Sequence, residues 1–245
     1  MIINGKLITI IYNHKGGAGN STICSSIVKK INKYKKTIII TNSPYSNVTY
    51  KKCGIKSEFI VINDLTKIKA QITSNDKAFK KFEYIFFDIS GMYKIEEKEI
   101  EELLKIIDIV ILPLIPDQSI NLLLQHVDTL IEKNNANIQK YLTVLSHIKP
   151  HYNANKLDEV IKEIDNWCRK HTMPILPRYF GYCKPIENDK RILDTKTCKP
   201  CLLDIVCLLN NVAKIKLDKN NVVNDSTYIN NCIENWLKEI QSNSY

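Results

Sequence analysis

A short apolar run, Lys6-Leu-Ile-Thr-Ile-Ile-Tyr-Asn13, leads almost at once into Lys15-Gly16-Gly17-Ala18-Gly19-Asn20-Ser21-Thr22. Behind that turn, apolar residues recur at Ile23, Ile27 and Ile31. The opening run is β-branched and continuous rather than alternating, the pattern of a strand buried on both faces of a parallel sheet. The spacing of four predicts an amphipathic helix from Ser21 to about Tyr34. A glycine turn between such a strand and such a helix gathers backbone N–H groups and a helix N-terminus at one point, where they can receive an anion. Glycine is needed because the main chain must curl around its guest without side chains in the way.

The alternation continues along the chain. Thr37–Thr41, Tyr84–Asp88, Ile109–Leu114 and Tyr141–Leu145 read as further buried strands, and Thr66–Phe82, Glu96–Ile107 and Ser119–Lys133 as crossover helices. A helix is predicted over Asn155–Lys170, a short apolar run at Met173–Leu176, an irregular stretch through Cys201, and then two closing helices. The last of these, Ser226 to Ser242, aligns Ile229, Ile233, Trp236, Leu237 and Ile240 in one stripe. Strands and helices in this order predict an α/β fold, a three-layer, doubly wound, mostly parallel sheet with ligands at the carboxyl ends of its strands. At 245 residues, residues 1–245 fit one large domain better than two small ones.

Composition narrows the function classes. Hydrophobic residues make up 44% and charged residues 25%, ordinary for a globular chain, and no window carries the roughly 18 apolar residues of a membrane span. The stripe of the last helix is accompanied by Glu234, Lys238 and Glu239, a mixed set that favours core packing over a membrane surface. Met1–Lys6 lacks the apolar core of a secretory signal, so a cytoplasmic location is expected. Cys24, Cys53, Cys168, Cys183, Cys207 and Cys232 are scattered as reduced thiols would be. Cys198-Lys-Pro-Cys201 has motif spacing, but a metal site would need two more ligands, with Cys183 or Cys207 as candidates, so packing thiols are the simpler reading. A net charge of +9 and pI near 9.0 suit attraction to nucleic acid, as in nonspecific DNA binding, or to an anionic membrane. With arginine confined to Arg169, Arg178 and Arg191, and lysine, isoleucine and asparagine abundant, the charge equally fits the codon drift of an AT-rich genome and a solvated lysine coat.

The phosphate loop resembles the deviant Walker A motif of the ParA/MinD family of P-loop NTPases, Lys-Gly-Gly-x-Gly-Lys-[Ser/Thr]-[Ser/Thr]. Lys15, Gly16, Gly17, Gly19, Ser21 and Thr22 match it. The resemblance implies that Lys15 reaches across a nucleotide-dependent homodimer to the partner's phosphates, with a catalytic role, and that the loop from Lys15 through Gly16, Gly17, Ala18, Gly19, Asn20 and Ser21 to Thr22 cradles ATP. It implies that Ser21 binds Mg2+. Asn20 departs, standing where the family has its second lysine against the β- and γ-phosphates.

Phe82-Glu-Tyr-Ile-Phe-Phe-Asp88-Ile-Ser-Gly91 resembles the family's Walker B strand, which implies that Asp88 holds Mg2+ through water. Read alone, Asp88 fits a strand-end cap as well as a metal ligand. Ile107-Asp108-Ile-Val-Ile-Leu-Pro113-Leu-Ile-Pro116 is similar to the following strand. Thr41-Asn42-Ser43-Pro44-Tyr45-Ser46-Asn47 aligns with the Asp-x-Asp-Pro-Gln segment, keeping Pro44 and Asn47 but placing Thr41 and Ser43 at the aspartate positions. Ser43 stands at the water-polarising position, where it can hydrogen-bond a water but cannot act as an anionic base. Leu176-Pro177-Arg178 with Lys184-Pro185-Ile186 resembles the segment beside the base, implying nucleotide contacts from Pro177 and Arg178.

The resemblance covers the first 150 residues or so. It implies a partition or positioning protein that dimerises on ATP-Mg, binds DNA nonspecifically, is nucleoid-associated and answers to a small ParB-like partner. Losing a lysine and a carboxylate predicts impaired hydrolysis, because phosphoryl transfer relies on positioned charge. A hydrolysis-deficient scaffold, an accessory of plasmid maintenance or conjugation, is the alternative.

Overall fold

The computed structural model describes residues 6–13, 19–74, 76–90, 96–116, 120–134, 141–146, 154–171, 173, 175–176, 179–180 and 198–218. Six strands form one sheet: β1 (Leu7–Asn13), β2 (Thr37–Thr41), β3 (Glu58–Val61), β4 (Tyr84–Ser90), β5 (Ile109–Leu114) and β6 (Tyr141–Leu145). Their order is β3-β2-β4-β1-β5-β6, with every pair parallel. The helices are α1 (Asn20–Ile31), α2 (Ser46–Lys52), α3 (Leu65–Thr73), α4 (Lys77–Lys80), α5 (Glu97–Leu104), α6 (Ile120–Asn134), α7 (Ala154–Lys170) and α8 (Lys199–Asp218).

Side-chain alternation divides the core in two. On β4, Ile85, Phe87 and Ile89 join Ile8, Ile10, Val110 and Leu112 against a layer that includes Ile68 and Ile72 of α3, Leu103 of α5, Val127 of α6 and Ile164 of α7. Tyr84 and Phe86 face the other way, with Leu7, Ile11 and Ile39, toward Ile23 and Ile27 of α1, Tyr50 of α2 and Leu202 and Ile205 of α8. The three-layer parallel sheet expected from the strand pattern is therefore present. Two residues on from Phe86, the same parity directs Asp88 toward α1 and α2.

Several elements differ from the sequence reading. Thr66–Phe82 is two helices, because the Asp76 side chain accepts from Ala78 N and starts α4 after the α3 C-cap at Ser74. The first helix ends at Ile31 rather than Tyr34. β3 and α2 were not expected, and Cys201 lies in α8, not in an irregular stretch. The predicted helix Ser226–Ser242 lies outside the described residues.

Lys6 anchors α4 beneath the sheet. Its Nζ donates to the carbonyls of Phe79 at 2.8 Å, Phe82 at 3.0 Å and Lys80 at 3.3 Å, satisfying acceptors that a helix end leaves open. Lys6 is only 6% exposed, so Lys6→Met, which keeps the stem and deletes the donors, is expected to cost about 2 kcal/mol. A lower urea midpoint with an unchanged slope would register it.

Candidate functional site

The carboxyl ends of β1, β4 and β2 converge on the N-terminus of α1. Gly19 is its N-cap, with φ 89° and ψ 14°, a left-handed conformation that glycine adopts without Cβ strain. Ile23 N donates to Gly19 O at 2.8 Å and begins the helix. Thr22 follows in the first turn, its carbonyl accepting the Ser25 and Ser26 hydroxyls at 3.0 and 2.6 Å. Lys15, Gly16, Gly17, Ala18, Pro177 and Arg178 lie outside the described residues, as do Cys183 and Cys232.

Asp88 is the centre of the described cluster. In register it lies between Ile11 of β1 and Thr41 of β2, and it is 1% exposed. Ser21 Oγ donates to its Oδ2 at 2.7 Å, Ser46 Oγ to the same oxygen at 3.3 Å, and the Tyr50 hydroxyl also donates to it. Oδ1 is buried with no hydrogen-bond partner among the described residues. Burial pushes the Asp88 carboxyl above its ordinary pKa, while the hydroxyls of Ser21, Tyr50 and Ser46 pull it back. Cys24 and Tyr50 stand beside it, and burial, reinforced by the nearby carboxylate, raises the thiol and the phenol well above their usual values. Both are therefore neutral at pH 7.

The raised carboxyl pKa has a sign that thermal unfolding can read. The folded state holds the Asp88 proton more tightly than the unfolded chain. The resulting stability is fully present below the unfolded pKa and is lost as pH rises through the folded one. Asp88→Asn keeps an acceptor for the three hydroxyls and removes the buried charge, so the nucleotide-free protein should gain about 1 kcal/mol at pH 7. The gain should shrink toward pH 4 in melts recorded at both values.

Asn20, 9% exposed, turns inward. Its Nδ2 donates to Ile89 O at 3.1 Å and Asn13 O at 3.4 Å, tying α1 to the ends of β4 and β1, and its Oδ1 is buried without a partner among the described residues. Thr41 Oγ1 accepts from Ser43 N at 3.1 Å, so Thr41 shapes the turn after β2. Ser43 is buried in that turn, and its carbonyl accepts from Ser46 N at 3.2 Å. Ser43 is not among the described donors to Asp88. Asp108 is structural: its Oδ2 accepts from Ile8 N at 2.7 Å and its N donates to Ile8 O at 2.8 Å.

The structure thus brings Ser21 and Asp88 together, with Gly19, Asn20 and Thr22 in the adjoining turn, and adds Ser46, Tyr50 and Cys24, which the sequence reading did not single out. The available signal was the spacing of Ser46 and Tyr50, four apart after the Pro44 turn. Cys198, just before α8, and Cys201, within it, are buried in the core. Among the described residues no three His, Cys, Asp or Glu side chains gather as a metal cluster, and no helix is long and apolar enough to cross a membrane.

Two oxygens make the cluster suited to a hard cation. Asp88 Oδ1 is an anionic acceptor in need of a partner, and Ser21 Oγ, donating its proton to Oδ2, retains lone pairs.

No protein-family model matches the chain, and no curated protein does. Solved structures do. The chain is 17% identical to the MinD cell division protein of Aquifex aeolicus, over 84% of this chain and 97% of that one, with a TM-score of 0.59. A plasmid partition protein of Borrelia burgdorferi B31 bound to AMPPNP is 15% identical, over 83% and 98%, at 0.57. A Cyanothece McdA–ATP complex is 12% identical, over 90% and 99%, at 0.58. At these identities the likeness is one of fold: the sheet and its helices share the architecture of these three structures.

Proposed function

We propose that this chain is a nucleotide-responsive switch of the ParA/MinD kind, forming one nucleotide-binding domain. The loop Lys15–Thr22 takes the phosphates of ATP, and Ser21 and Asp88 hold the accompanying Mg2+. The observation that carries this reading is the buried pair itself: Ser21 donates to Asp88 at 2.7 Å, while the second carboxylate oxygen, also buried, lacks a partner among the described residues. Burying an unpaired charge is costly, and a chain that keeps one is best understood as keeping it for a cation. When bound, Mg2+ neutralises and orients phosphate oxygens. Backbone N–H groups at Gly16, Gly17, Ala18 and Gly19 complete the cradle with Asn20 and Thr22, and Pro177 and Arg178 flank the base. Lys15 meets the phosphates of a second copy, so that ATP and Mg2+ favour a homodimer.

Such a dimer, in the cytoplasm, binds DNA nonspecifically through its positive charge and is released by a small ParB-like partner, with no membrane step. Hydrolysis is weak. Ser43 offers no carboxylate near the attacking water, and the Asn20 amide, engaged with Ile89 and Asn13 carbonyls, is too short to replace a lysine at the β- and γ-phosphates. That same engagement favours the second reading, a scaffold of plasmid maintenance or conjugation that binds ATP without turning it over.

Retention on DNA, with and without ATP and Mg2+, at low and high salt, tests the switch. Retention that needs nucleotide and falls with salt supports it, whereas retention indifferent to nucleotide leaves a lysine coat. Phosphate release at the rate of a full-motif relative would refute both weak hydrolysis and the scaffold.

A further inference from the structure

Tyr50 and Ser46 sit one turn apart on α2, and both end on the same carboxylate oxygen. Tyr50 is fully buried. Its ring faces Phe59 of β3, with centroids 6.4 Å apart, and its hydroxyl donates to Asp88 Oδ2. Ser46 donates to that oxygen at 3.3 Å and lies 3.3 Å from Ser21 Oγ. Oδ2 thus collects donors from α1 and from α2, while Oδ1 collects none among the described residues. A half-turn of the carboxylate would gain nothing, because it only exchanges the oxygens, and a smaller rotation would strand buried hydroxyls. The three donors therefore fix the carboxylate plane.

We propose that Tyr50, assisted by Ser46, is a positioning residue for the metal: it fixes Asp88 so that Oδ1 is the oxygen offered to the cation, and it ties α2 to that site. The inference rests on the ATP-Mg reading above. Residues behind metal-holding groups commonly set affinity in this way, and their loss weakens metal binding by about 10–100-fold. Phenylalanine at position 50 would keep the ring against Phe59 and remove only the donor.

The test is a Mg2+ titration of ATP binding to the wild type, Tyr50→Phe and Ser46→Ala, alongside ATP affinity in EDTA. The expected result is a Mg2+ midpoint raised about tenfold in Tyr50→Phe, a smaller rise in Ser46→Ala, and unchanged affinity in EDTA. A structural role alone would leave the midpoint in place or weaken binding equally with and without metal, and either result overturns the proposal. Should Tyr50→Phe fail to fold, Ser46→Ala carries the same comparison, and an unmoved midpoint there overturns the proposal too. A wild type with no Mg2+-dependent ATP binding overturns the site reading and this inference together, which differs visibly from a responsive wild type matched by its variants.

Discussion

The double variant Asn20→Lys, Ser43→Asp is expected to hydrolyse ATP about 10²–10³ times faster than the native chain. Each change returns a charge to a place where the ParA/MinD pattern has one and this chain has an uncharged side chain. Phosphoryl transfer leaves the protein little covalent work, so rate depends on charges already in position when the transition state forms. The lysine would abandon the Ile89 and Asn13 carbonyls that Asn20 now bonds, at about 1 kcal/mol for each lost hydrogen bond. Faster turnover should thus come with a lower melting temperature. Neither single change should recover most of the rate, since groups acting on one transition state are not additive. Steady-state phosphate release measures this, and a double variant that binds ATP yet stays as slow as the native chain would locate the defect elsewhere.

Asp88→Asn should lower Mg2+-dependent ATP affinity about 10²-fold, roughly 3 kcal/mol, while leaving affinity in EDTA nearly unchanged. The amide still accepts from Ser21, Ser46 and Tyr50, so the fold of the site persists and only the anion is gone. This variant is also the one expected to melt higher at neutral pH. Stability and ligand affinity moving in opposite directions is the behaviour of a group retained for its ligand at the fold's expense. If affinity and melting temperature both fell, Asp88 would instead be a structural cap at the end of β4.

Much of the scaffold was legible because parallel strands buried on both faces write themselves as unbroken apolar runs. Thr37–Thr41, Ile109–Leu114 and Tyr141–Leu145 carry the bounds expected of them. β3 was not legible: it is a four-residue edge strand, half-buried at Phe59 and Ile60 and exposed at Glu58 and Val61, too short and mixed to stand out. α2 was missed for a related reason. Its seven residues carry no apolar stripe, and it is held by the single buried ring of Tyr50 and by hydrogen bonds from Ser46 and Tyr50 to a carboxylate 42 and 38 residues away. The place of Asp88 after an apolar run left a strand-end cap and a metal ligand equally open, and only the resemblance to a Walker B strand singled it out; its hydroxyl donors depend on how β2 and β4 pair, which local pattern does not encode.

Calorimetry of the native chain with ATP, in Mg2+ and in EDTA, shows whether Ser21 and Asp88 form a metal-assisted nucleotide site. Saturable heat in Mg2+, weakened by its removal and nearly lost in Asp88→Asn, is the predicted result. Saturation that is equally tight in EDTA, or no heat in either buffer, would contradict a metal-assisted nucleotide site at Ser21 and Asp88.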